Sequence, residues 1–138
     1  MTKTAILYPA IAMALLTLAL LVAMALRRWA AMKSRAVSIK FYRTYSEGAE
    51  PEELRKHTRH VANHFEVPPL FHLAVFGTYL AGEVTMATVG AAWLFVASRC
   101  VHSVIHLGYN NVLHRFYFFG IGVLAVVYLW ARLLVALH

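Results

Sequence analysis

A single cysteine, Cys100, leaves no intrachain disulfide to form, so the sequence shows no sign of a cross-linked extracellular module. Charge is scarce too: 14% of the 138 residues are charged and 61% are hydrophobic. With a mean hydropathy of +0.62, that balance excludes an ordinary soluble domain of this length. Internal repeats and low-complexity tracts are also missing, so the chain reads as one domain over residues 1–138. Acidic residues number six against thirteen Lys and Arg, a formal net charge of +7. The basic excess sits beside apolar runs, which points to anionic lipid headgroups and an acidic small molecule and away from nucleic acid.

The apolar runs predict four membrane helices, since a span needs roughly 20 residues. The first covers about 5–26 and ends at Arg27-Arg28. Charge that follows the apolar core, instead of preceding it, marks a retained helix and not a cleaved leader. Residues 27–60 hold nine of the thirteen Lys and Arg, so the loop at 27–50 is expected in the cytoplasm with both termini on the opposite side. Tyr45-Ser46-Glu47-Gly48 reads as a turn. Pro51-Glu52-Glu53 is a helix start, because proline suits the first turn and acids suit the positive end of the helix dipole. The second helix is expected at about 51–81, entering the bilayer near Val67, with Gly82-Glu83 as an outer turn. The third and fourth follow at about 86–107 and 116–137, joined by the turn Gly108-Tyr109-Asn110-Asn111. The expected fold class is an all-α, four-helix up-down bundle in the membrane.

Polar side chains inside such helices are costly, so each one is a candidate functional residue. Arg59, Asn63 and Glu66 fall at i, i+4 and i+7 on the second helix; Arg99, His102 and His106 fall at i, i+3 and i+7 on the third. Arg99 lies roughly 12 Å from the helix end at about 1.5 Å per residue. At that depth it needs a carboxylate or a ligand, and Glu66 is the expected partner. Arg115, just before the fourth helix, closes the group from a third direction. Guanidiniums match carboxylates, a glutamate matches an ammonium, and an asparagine matches a peptide group. A small zwitterionic peptide rich in carboxylates, such as glutathione, fits that inventory. Lys33, Arg35, Lys40 and Arg43 read as interfacial snorkelling residues. His57, His60 and His64 share a helical stripe and read as surface histidines, since no cysteine or second carboxylate accompanies them; no metal is expected there. His102 and His106 as haem or metal ligands form an alternative, and Cys100 reads as core packing.

The sequence Arg59-His60-Val61-Ala62-Asn63-His64-Phe65-Glu66, followed by Pro69, Leu70 and Phe71, resembles the helix-two signature R-x-x-x-N-x-x-E-x-x-P-L/F-F of the MAPEG family, the membrane-associated proteins in eicosanoid and glutathione metabolism. Arg99-x-x-His102, continuing to His106, is similar to the helix-three motif of the microsomal prostaglandin E synthases. Arg115, sixteen residues after Arg99, is similar in spacing to the arginine beside the glutathione sulfur in those synthases. The resemblance covers nearly the whole chain and implies a homotrimer with a glutathione site at each subunit interface. It implies that Arg59, Asn63, Glu66, Arg99 and His102 bind glutathione and that Arg115 stabilises its thiolate. His106 stands where the prostaglandin and leukotriene synthases carry a tyrosine, and Phe116 where the former carry a serine. His106 remains able to donate to a carboxylate or to take the thiol proton. The expected activity is a glutathione-dependent transferase or peroxidase acting on lipophilic substrates, in a bacterial inner membrane. The alternative within the same fold is a protein that binds glutathione or another anion without turnover.

Overall fold

Long apolar runs without an internal breaker become long helices. The computed structural model describes residues 2–45 and 48–137, so Ser46 and Glu47 of the expected turn lie outside the described residues. A short 3-10 turn, Lys3–Ile6, leads into α1, Leu7–Lys33. Then follow α2, Ile39–Thr44; α3, Glu52–Asn63; α4, Pro68–Ala81; α5, Met86–Leu107; and α6, Val112–Ala136. The described residues contain no strand. Three segments are long and apolar enough to cross a membrane: Lys3–Lys33, Met86–Leu107 and Val112–Ala136. The chain is therefore an all-helical integral membrane protein.

Three boundaries differ from the sequence expectation. α1 does not stop at Leu26 but continues through Arg27 and Arg28 to Lys33. Arg, Ala, Met and Lys are good helix formers, and loss of hydropathy alone does not end a helix. The second helix is broken in two. Pro68 and Pro69 have no N–H to offer the carbonyls of His64 and Phe65, so α3 ends at Asn63 and α4 restarts at Pro68 with its 14 residues, although Val67 itself keeps helical dihedrals, φ −89° and ψ −39°. The amides of His64 and Phe65 fall back on the carbonyls of Val61 and Ala62, both at 2.9 Å. Finally, α6 starts at Val112, because the side chain of Asn111 accepts from the amide of His114 at 3.1 Å and caps the helix. Arg115 therefore sits one turn inside α6, not before it.

α5 and α6 run antiparallel. Gly122 faces Phe95 and Ser98, while further along the pair Phe119 faces His102. A Cβ on Gly122 would meet Ser98 Oγ at 2.7 Å, so glycine is what lets these backbones approach. Ile6, Ala10 and Met13 of the amino-terminal segment pack against Phe71, Ala74 and Val75 of α4 and Ala92, Phe95 and Val96 of α5. Phe71 and Phe95 stack with ring centroids 4.3 Å apart. The opposite faces carry exposed Leu15, Leu18, Val22, Leu124 and Val127, as lipid-facing stripes require. Cys100 is also on an outer face and exposed, which corrects its assignment to core packing: the inward face of α5 belongs to Arg99, His102 and His106.

A polar clasp between α1 and the start of α3 positions α3. Glu50 is buried and accepts from Arg28 Nε at 3.2 Å and from Thr58 Oγ1 at 2.8 Å, while Arg28 also donates to Thr58 at 3.2 Å. One carboxylate thus ties the end of the loop to α1 and α3. His57, next to this clasp, is held below the ordinary imidazole pKa, first by burial and then by the Arg27 charge.

Glu50→Ala strands the Arg28 and Thr58 donors and is expected to cost about 2 kcal/mol, read from thermal unfolding in detergent. Gly122→Leu overpacks the α5–α6 seam and is expected to cost about 1–3 kcal/mol by the same measurement. Because folded His57 resists the proton that the unfolded chain accepts, stability is complete well above about pH 6.5 and falls as pH drops below it. His57→Gln is expected to flatten that acid limb; an unchanged slope between pH 7.5 and 5.5 would contradict this assignment.

Candidate functional site

α3, the carboxy-terminal half of α5 and the first turn of α6 converge on a cluster of polar residues. Arg99 is its deepest member, 1% exposed in a membrane-spanning helix. Its Nη2 donates to the carbonyl of Asn63 at 3.2 Å, and its guanidinium lies 5.6 Å from the ring centroid of Phe119. Asn63 is the last residue of α3, so its carbonyl belongs to the negative end of the helix dipole and is free for an outside donor. Among the described residues Arg99 forms no ion pair with Glu66. The expected bridge fails because the Pro68 break takes Glu66 off the face of Arg59 and Asn63 and leaves it exposed in the turn. Arg99 Nε is buried without a partner.

Arg115 stands on the wall between two cavities. One, of about 140 Å³, is lined by Glu52, Arg55, Lys56, Arg59, His106 and Asn110 as well as Arg115. The other, of about 180 Å³, is lined by Asn63, His102, Val112, Phe116 and Phe119 together with Arg115. Arg115 Nη1 donates to Asn110 Oδ1 at 2.8 Å, and its Nε is buried without a partner. Asn110 holds this place because it takes the left-handed conformation, φ 52°, that asparagine tolerates. The structure thus brings Arg59, His106 and Arg115 to one cavity and Asn63, His102 and Arg115 to the next, with Arg99 bonded to Asn63 behind them. Glu66 stays outside both.

The histidines of α3 are not on the surface. His57, His60 and His64 are all buried, His60 completely, because their stripe faces α5 and α1 instead of water. His60 Nδ1 lies 3.2 Å from His106 Nδ1, and His60 Nε2 lies 2.9 Å from Ser103 Oγ. His60 stacks on His102 with centroids 5.8 Å apart. His102 Nδ1 donates to the carbonyl of Arg115 at 3.1 Å, and His64 Nδ1 meets Thr17 Oγ1 of α1 at 3.1 Å. Sequence reasoning did not single out Glu52, Arg55 and Lys56, which line the basic cavity, or the buried His60 and Ser103 beside it. A signal for the histidines was present: their stripe is the one that continues toward Asn63 and the membrane.

Such an arrangement receives anions. Five cationic or imidazole groups line the 140 Å³ cavity with one carboxylate, Glu52, while the adjoining cavity offers two aromatic rings and a valine. An anionic head and an apolar reactant can therefore meet at Arg115. No curated protein and no solved structure matches the chain. The family model described as the MAPEG family matches residues 6–135, nearly the whole chain, and so this protein belongs to the MAPEG family.

Proposed function

We propose that the protein is a glutathione-dependent membrane enzyme, a transferase or peroxidase, that presents a glutathione thiolate to lipophilic electrophiles or lipid hydroperoxides. The observation that carries this reading is the position of Arg115 on the wall between the basic cavity and the aromatic one. In this reading Arg55, Lys56 and Arg59 take the carboxylates, and His102, Asn63 and Arg99 hold the inner end of the tripeptide. A thiol attacks only when deprotonated, and a guanidinium beside it favours the charged form. Arg115 supplies that charge, and the apolar substrate approaches along Phe116 and Phe119 from the bilayer. The basic loop, on this account, is cytoplasmic in a bacterial inner membrane, and α3 with α4 supplies a fourth crossing.

A cavity of about 140 Å³ is smaller than the roughly 300–1,000 Å³ of ordinary ligand pockets, so one chain alone encloses only part of the tripeptide. A homotrimer in which a neighbouring subunit covers the opening meets that need. It also gives the exposed Glu66 a place at a subunit boundary, where it is free to take the glutathione ammonium. A second reading is a binding protein without turnover. It is favoured by His106, which replaces the synthases' tyrosine and has its Nδ1 turned to His60 and away from the substrate side.

Stopped-flow ultraviolet absorbance at the thiolate band separates these outcomes. Wild type mixed with glutathione is expected to show the thiolate signal. Arg115→Ala is expected to lose it while keeping weakened binding by calorimetry. Arg59→Ala is expected to lose about 10- to 100-fold in affinity, the worth of one charge-assisted hydrogen bond, with the thiolate still forming at saturation. Complete loss of binding in both variants would contradict this division, and wild-type binding without a thiolate would select the second reading.

A further inference from the structure

The imidazoles of His60, His102 and His106 are all buried, and one ring nitrogen from each lies within 4.8 Å of the other two. Their hydrogen bonds determine which nitrogens carry protons. Ser103 Oγ donates its hydrogen to the carbonyl of Arg99 at 2.7 Å, so toward His60 it acts as an acceptor and His60 carries its proton on Nε2. His60 Nδ1 is then a bare lone pair, aimed at His106. The carbonyl of Arg115 can only accept, so His102 carries its proton on Nδ1, and its Nε2 is a second bare lone pair, buried without a partner. Two imidazoles thus have one N–H tied to an oxygen and a lone pair on the other nitrogen. That is the pattern by which outer partners orient metal-ligating histidines. The His60 Nδ1 lone pair accepts from His106 Nδ1–H at 3.2 Å until an ion displaces this proton and His106 keeps its N–H on Nε2.

We propose that His60, His102 and His106 form a three-imidazole site for a late first-row divalent cation, zinc being the natural occupant. Metal–nitrogen bonds of about 2.0–2.1 Å in a tetrahedral site place the nitrogens roughly 3.3 Å apart. The His60 Nδ1 to His106 Nδ1 distance is already 3.2 Å, and one nitrogen from each of the three rings lies within 4.8 Å of the others. Three neutral ligands leave a fourth position open. His106 also lines the cavity of Arg59 and Arg115, which gives the ion its route in and gives that fourth position an anion-binding neighbour. Arg99 and Arg115 flank the site with positive charge, and no carboxylate is among the three ligands. Weakly held hard cations such as magnesium and calcium are therefore excluded, and the ions with the strongest affinity for imidazole are selected. The site stands independently of the glutathione reading, although the two meet at His102 and His106.

Tag-free protein, purified in detergent and stripped with a chelator, is titrated with cobalt(II) in the absence of glutathione and followed by visible absorbance. The expected result is about one cobalt per chain, with intense ligand-field bands of low coordination number that zinc abolishes by displacement. Ser103→Ala, which removes the oxygen orienting His60, is expected to weaken binding about 10- to 100-fold. His60→Gln, which keeps a donor toward Ser103, is expected to abolish the bands, and His114→Ala, at an exposed histidine outside the cluster, to leave them unchanged. Zinc-edge absorption on the wild type is expected to show three imidazoles, a readout that does not depend on any variant folding. Absence of cobalt binding in wild type, fewer than two imidazoles at the edge, or bands that survive in a folded His60→Gln protein would overturn the proposal. Calorimetry with glutathione on the stripped protein keeps the two readings apart: cobalt bound without glutathione binding upholds the metal site alone, and the converse removes it alone.

Discussion

The structure depends on how one buried guanidinium is kept charged inside a membrane helix. Placing arginine at the centre of a spanning helix costs about 2.5–3.5 kcal/mol even on the mildest scale. Arg99 offsets this by bonding to the carbonyl of Asn63 and facing the ring of Phe119, while the Glu66 carboxylate acts on it only from beyond ion-pair distance. That carbonyl is available because α3 ends at Asn63, and α3 ends there because Pro68 prevents the helix from running on. The proline, the broken helix and the buried arginine form one arrangement. The same break frees Glu66 from the helix face and places it outward.

Around this arginine the three helices serve different purposes. α5 contributes the inward polar face of Arg99, His102, Ser103 and His106. α3 contributes the cations Arg55, Lys56 and Arg59 together with the buried His60, and the Glu50 clasp on Arg28 and Thr58 fixes the helix against α1. α6 contributes Arg115, set one turn inside the helix by the Asn111 cap, and the aromatic side of the second cavity. Within a low-dielectric setting each unpartnered polar atom is costly. Arg99 Nε, Arg115 Nε and His102 Nε2 are all buried without partners, and Arg115 and His102 line the cavities in which a ligand would sit.

Much of this was legible in the sequence. Hydropathy marks the long helices, and α5 occupies the same residues, Met86–Leu107, that the sequence reading assigns to the third span. The spacing of Arg99, His102 and His106 marks their shared inward face, and the motif around Arg59 marks the family. What was not legible depends on tertiary packing or on local chain geometry. An unbroken apolar run past Pro68-Pro69 hid the break, so Glu66, the partner drawn from helical periodicity, stays beyond ion-pair distance of Arg99. Histidine is polar enough to read as surface, and only contact with α5 shows that the stripe of His57, His60 and His64 is buried. Asn111 was read as a turn residue, although its capping role sets the register of Arg115.

The central claim is that the arginines of the α3–α6 cavity bind the carboxylates of a small thiol peptide. It is tested most directly by calorimetry on the wild-type protein with glutathione and with its diethyl ester, which keeps the thiol and the peptide backbone but masks both carboxylates. Tight binding of glutathione with a loss of about 100-fold or more for the diester is the predicted result, as expected when two charge-assisted contacts vanish. Equal affinity for the two compounds would contradict the account.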